Sequence, residues 1–101
     1  MTESVSPFDI DRIRSMFPAL SRTENGRPVA YLDGPGGTQV PQRVIDAMGD
    51  VLTKGVSNLG GDFDSSQYAG TITDEGRAAM ADFFNAAPNE ISFGQNMTSI
   101  T

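Results

Sequence analysis

Glu90-Ile91-Ser92-Phe93-Gly94-Gln95-Asn96-Met97-Thr98-Ser99-Ile100-Thr101 reads as a short apolar strand running into a loop that opens a helix. Backbone N–H groups at a helix start lack intrahelical partners and sit at the positive end of the helix dipole, so such a loop readily holds a phosphate. Met97, Thr98 and Ser99 offer consecutive N–H groups, and Thr98 adds a hydroxyl. An N-cap before an ordinary helix is an equally good account of the same residues on local sequence. The chain stops within that first turn, so the expectation is part of a longer protein.

Working back from this stretch, Pro88-Asn89 closes a long helix expected over Ser66 to Asn85. Tyr68, Ile72, Ala79, Met80, Phe83 and Phe84 form its apolar side. Gly70 and Gly76 inside it each cost about 1 kcal/mol relative to alanine. Val56 to Asp64 is an irregular, glycine-containing loop. Asn58 within it could place an amide in a pocket, although an asparagine before glycines is more often a simple helix-exit turn. Pro41 starts another helix through Val44, Ile45, Met48, Val51 and Leu52, with Gly55 as its C-cap. Asp50 and Lys54 have the spacing of an i,i+4 ion pair on it.

Gly34-Pro35-Gly36-Gly37-Thr38 is a loop by composition, and Gly36 and Gly37 would let a ligand approach bare main chain. A plain strand-to-helix turn is the likelier account of glycine richness alone, and no Gly-Lys-Ser/Thr follows to make a Walker A loop. Val29 to Leu32 reads as a strand, preceded by an Asn25-Gly26 tight turn. Ser6 reads as the N-cap of a first helix carrying Ile10, Ile13, Phe17 and Leu20 and ended by Pro18 near Met16 or Phe17. The expected architecture is α/β: three helices and two or three short strands, with no complete sheet and no partner for the strand at Glu90 to Phe93.

The 101 residues suffice for one small domain. A formal net charge of −6 argues against nucleic acid or an anionic membrane as partner. Neither cysteine nor histidine is present, which removes a thiolate nucleophile, the commonest general base and the commonest metal ligands; no metal site is expected. Lys54, the sole lysine, reads as a surface residue. No signal-peptide pattern or membrane-length apolar run occurs, so the expected location is cytoplasmic.

In order, these segments resemble the class V, fold-type I pyridoxal-phosphate enzymes, and within them the cysteine desulfurase-like subgroup. The resemblance rests on Tyr31-Leu32-Asp33-Gly34-Pro35-Gly36-Gly37-Thr38-Gln39-Val40-Pro41 and on Asn58 with Gly60-Gly61. It continues through Arg77 to Ala86 and through Glu90 to Ser99, and spans about Ile10 to Thr101. It implies 1–8 as a flexible N-terminus and 9–101 as the N-terminal portion of an aminotransferase class V domain. The complete enzyme would be homodimeric, with a mostly parallel sheet between helices, and would act on a small amino acid. Its cofactor would be pyridoxal phosphate, joined to a lysine as a Schiff base. Carried over by position, Asn96, Met97 and Thr98 would line the cofactor phosphate. Gly36 and Gly37 would border the substrate, and Asn58 would lie near the active-site mouth.

Desulfurases commonly carry His-Arg where this chain has Gly60-Gly61, and Thr-Glu where it has Thr98-Ser99. These departures leave an aminotransferase, epimerase or lyase of the same class open. The family's Schiff-base lysine, ring-stacking histidine and desulfurase cysteine have no counterpart here, so this chain is not expected to catalyse alone. A free-standing module that binds phosphate or another anion through the last loop, without catalysis, is the alternative.

Overall fold

The computed structural model describes residues 7–101 of a chain that divides into two compact units, Met1–Thr53 and Lys54–Thr101. Ser6 as a helix cap, and most of the flexible N-terminus expected over 1–8, lie outside the described residues. Helix α1 covers Ile10–Ser15, and its cap is Asp9, whose carboxylate accepts from the Arg12 N–H at 2.9 Å. Pro18 lacks an N–H and fixes φ, so the chain continues as a separate 3-10 turn, Pro18–Ser21. Leu20 therefore belongs to that turn and not to α1.

The strand expected at Val29 to Leu32 is not formed. Instead β1 (Thr23–Glu24) and β2 (Arg27–Pro28) make a two-residue antiparallel hairpin, pairing Thr23 with Pro28 and Glu24 with Arg27. Asn25 and Gly26 both take positive φ (51° and 75°), the turn whose twist matches paired strands. Beyond it only Val29 finds a ladder partner, donating to the Arg22 carbonyl at 3.0 Å. A strand needs a neighbour, and Leu32 is left 92% exposed. A 3-10 turn at Gly34–Gly36 follows. Helix α2 (Gln42–Lys54) then starts at Pro41, whose carbonyl accepts from Val44 and Ile45, and ends before Gly55 at φ 85°. Val44, Ile45, Met48 and Leu52 on it remain exposed.

In the second unit α3 (Asp64–Phe84) starts two residues earlier than the sequence suggests and ends at Asn85, which adopts the left-handed conformation at φ 54°. The Asn85 N–H returns to the Ala81 and Asp82 carbonyls, closing the helix end. Ser66 and Ala81, both on α3, are the only buried residues among those described. Met80, Phe83 and Phe84 stay exposed, and the two phenylalanine rings meet edge to face at 5.2 Å.

The expected strand Glu90 to Phe93 is also absent. Pro88–Glu90 forms a 3-10 turn, with the Glu90 carboxylate accepting from the Ala87 N–H at 2.7 Å. Ile91 to Phe93 continues without a strand partner. Its one captured carbonyl, that of Ile91, is held by a side chain rather than by another strand. A short helix, α4 (Met97–Ile100), closes the described chain. Helices with one two-stranded antiparallel sheet make this a partial α/β fold. No helix among the described residues is long and apolar enough to cross a membrane.

Candidate functional site

The last loop is built by a reciprocal cap. Asn96 Oδ1 accepts from the Ser99 N–H at 2.9 Å, and the Asn96 N–H donates to Ser99 Oγ at 3.4 Å. The Ser99 hydroxyl donates in turn to the Asn96 carbonyl at 3.1 Å. The Ile100 and Thr101 N–H groups bond to the Asn96 and Met97 carbonyls. Among the described residues this leaves the Met97 and Thr98 N–H groups and the Thr98 hydroxyl without a protein partner. All three candidates therefore share one turn, but in different roles: Asn96 holds it, while Met97 and Thr98 present donors. Two free amides and a hydroxyl on adjacent residues suit an anion with several oxygens, such as a phosphate.

Arg77, half-buried on α3, fastens the segment that leads into this turn. Its Nε donates to the Ile91 carbonyl at 3.3 Å, and its guanidinium lies 5.6 Å from the centre of the Phe93 ring. Asp74, one turn back, pairs with it at 3.5 Å. A Cβ on Gly94 would collide with the Ile100 side chain, so the approach to α4 is tight enough to require glycine. Sequence reading missed Arg77. The available signal was a lone arginine on the mostly apolar second half of a long helix.

Asn58 is held through its main chain. Ser66 Oγ donates to the Asn58 carbonyl at 2.5 Å and accepts from the Gly61 N–H at 2.7 Å, while Ser65 Oγ donates to Ser57 Oγ at 3.0 Å. One buried hydroxyl thus folds residues 58–61 against the first turn of α3, and the exposed Asn58 amide is left free among the described residues. Asn58 and the last loop are consequently fastened to α3 at Ser66 and Arg77, positions separated by about 16 Å of helix rise.

Gly36 and Gly37 lie in the first unit. Gly36 closes the 3-10 turn, and Gly37 takes φ 135° and ψ 151°, a conformation that residues with side chains rarely adopt. Space does not demand glycine at either position, since a Cβ would meet nothing within 4 Å; the backbone demands it at Gly37. Lys54 is exposed at the end of α2, its Nζ 5.5 Å from the centre of the Tyr68 ring. The one ion pair among the described residues is Asp74–Arg77, so the expected Asp50–Lys54 pair is not formed.

The sequence pattern of the family described as aminotransferase class-V matches residues 30–100. A cysteine desulfurase of Dickeya dadantii (strain 3937) is 37% identical over 97 residues, covering 89% of this chain and 22% of the relative. A cysteine desulfurase of Serratia proteamaculans (strain 568) is 38% identical over 93 residues, covering 90% and 23%. One from Escherichia coli (strain K12 / DH10B) is 46% identical over 48 residues, covering 48% and 12%. The chain spans about a quarter of the length of the first two relatives. The matched region holds every candidate position, from Gly36 and Gly37 through Asn58 to Asn96, Met97 and Thr98, and the chain belongs to the aminotransferase class-V family.

Proposed function

We propose that this chain forms the N-terminal part of a pyridoxal-phosphate-dependent, cysteine desulfurase-like enzyme that acts on a small amino acid in the cytoplasm as a homodimer. The observation that carries the reading is the match to cysteine desulfurases over 89–90% of this chain. The unpartnered donors of Met97 and Thr98 fit the phosphate end of such a cofactor. When bound, the cofactor supplies an electron sink for the amino acid's α-carbon. The Met97 and Thr98 N–H groups and the Thr98 hydroxyl hold the phosphate, and the Asn96–Ser99 cap keeps these donors converged. Gly36 and Gly37 expose main chain to the substrate, and the Asn58 amide lies at the mouth. The free-standing phosphate-binding module is not favoured, because the similarity extends across nearly the whole chain to enzymes.

The test is the complete reading frame that contains this sequence, purified with pyridoxal phosphate and assayed for sulfide release from L-cysteine. Bound cofactor and sulfide production are expected. Thr98→Ala should weaken cofactor retention by about tenfold, the loss of one charge-assisted hydrogen bond. A full-length protein that binds no cofactor would overturn the proposal. Bound cofactor with aminotransfer, epimerisation or elimination but no sulfide would move the assignment to another branch of the family.

A further inference from the structure

The Asn25-Gly26 turn of the first unit takes no part in the candidate site. Both residues are exposed, and a Cβ on Gly26 would meet nothing within 4 Å, so the approach to its nitrogen is open. Among the described residues neither the Asn25 side-chain amide nor the Gly26 N–H has a hydrogen-bond partner. The hairpin that the turn closes has two residues in each strand, all of them exposed. A two-stranded hairpin is at best marginally stable in water, so this one opens readily. The other asparagines lack that combination. Asn85 and Asn89 precede Ala86 and Glu90, whose N–H groups donate to carbonyls at 2.8 and 2.9 Å. Asn58 and Asn96 precede Leu59 and Met97, which carry bulky side chains beside the nitrogen that glycine leaves bare.

We propose that Asn25 is a site of spontaneous deamidation to isoaspartate, gated by opening of the hairpin. The Gly26 nitrogen attacks Asn25 Cγ: the N–Cγ bond forms, the Cγ–Nδ2 bond breaks, and Nδ2 leaves as ammonia with the proton that Gly26 gives up. Water then opens the resulting five-membered imide. Opening at Cγ yields aspartate, and opening at the Asn25 main-chain carbonyl yields isoaspartate, whose backbone is one methylene longer. The closed turn opposes the attack, because it fixes the Asn25 backbone at φ 51° whereas ring closure needs the bonds on either side of Cα free to rotate. The longer backbone no longer fits a two-residue turn, so Thr23 and Glu24 lose register with Pro28 and Arg27. The change is one-way and adds a negative charge to a chain already at −6. It requires neither cofactor nor the rest of the proposed enzyme, so it stands or falls separately from that reading.

The full chain is held at mildly alkaline pH, sampled over days, digested with trypsin and mapped by mass spectrometry. The mass gain of amide-to-acid conversion should be localised by fragmentation to Asn25, at least about tenfold faster than at any other asparagine. Asp33-Gly34 in the same tryptic peptide can rearrange only without a mass gain, which separates the two events. The main product should be isoaspartate, recognised by resistance at position 25 to an endoproteinase that cleaves before aspartate. Urea should quicken the reaction severalfold by opening the hairpin, and Asn25→Gln should abolish it, since glutamine would have to close a six-membered ring. In nuclear magnetic resonance spectra the isoaspartate fraction should lose the cross-strand contacts between Thr23 and Pro28. No mass gain at Asn25, an even spread over the asparagines, or isoaspartate with the cross-strand contacts intact overturns the proposal. A rate that urea leaves unchanged overturns it as well, because the hairpin would then not be the gate.

Discussion

Removing the Ser66 hydroxyl would leave two main-chain groups, the Asn58 carbonyl and the Gly61 N–H, without their shared partner. Ser66→Ala should therefore destabilise the second unit by roughly 1–3 kcal/mol, the cost of leaving such groups unsatisfied. Amide exchange at Gly61 should quicken more than exchange at the middle of α3; equal protection in both proteins would contradict this account. Arg77→Gln keeps a donor but loses the charge over Phe93 and the pair with Asp74. Exchange and line-broadening at residues 91–97 should increase while the helical signal of α3 is retained. Neither role was legible in the sequence, because a hydroxyl eight residues from its acceptor and an arginine fourteen from its acceptor meet only after the chain has turned back on itself.

Propensity and caps governed the helices, and the sequence announced them well. Pro41 and Gly55 bracket α2 as their chemistry dictates, and the 3.6-residue pattern places α3 within two residues at its start. The strands were misread because a short apolar run describes a segment ready for pairing, while pairing itself depends on a neighbour. Thr23–Glu24 and Arg27–Pro28 are paired because the Asn25-Gly26 turn brings them together locally. Two glycines give opposite predictions at this scale. At Gly70, mid-helix, an added Cβ meets nothing within 4 Å, so Gly70→Ala should stabilise α3 by about 0.5–1 kcal/mol, read as a higher midpoint in urea. Gly94→Ala would drive a Cβ into Ile100. It should abolish the Asn96–Ser99 cap signature in nuclear magnetic resonance spectra, and an unchanged Ser99 amide would show that the loop accommodates the methyl.

Across the molecule, large apolar side chains outnumber the places to bury them. Leu32, Leu52, Met48, Phe83, Phe84 and Met97 are between 62% and 92% exposed. Each forgoes part of the roughly 1.5–3 kcal/mol that full burial would contribute, against a typical domain margin of about 5–15 kcal/mol. The isolated chain should therefore unfold over a broad range, with a shallow dependence on urea and binding of hydrophobic dyes before heating. A sharp two-state transition would contradict that expectation. Pyridoxal phosphate should bind weakly at best, since this chain offers only a candidate phosphate turn and its sole lysine, Lys54, lies over the Tyr68 ring. A stoichiometric visible absorption band that vanishes in Lys54→Ala would overturn this, because Lys54 lies against Tyr68 at the end of α2.

The sequence by itself determined the family, the helices and the turn chemistry, since these follow from local periodicity, caps and an ordered set of short motifs that survive as text. It also placed the capped turn at Asn96 to Ser99, because that cap acts over only three residues. Tertiary structure alone decided which segments found strand partners, which glycine is fixed by its backbone and which by a neighbour, and that Ser66 and Arg77 anchor the two candidate loops. Those outcomes depend on distances between residues far apart along the chain, and no local pattern encodes a distance that closes only on folding.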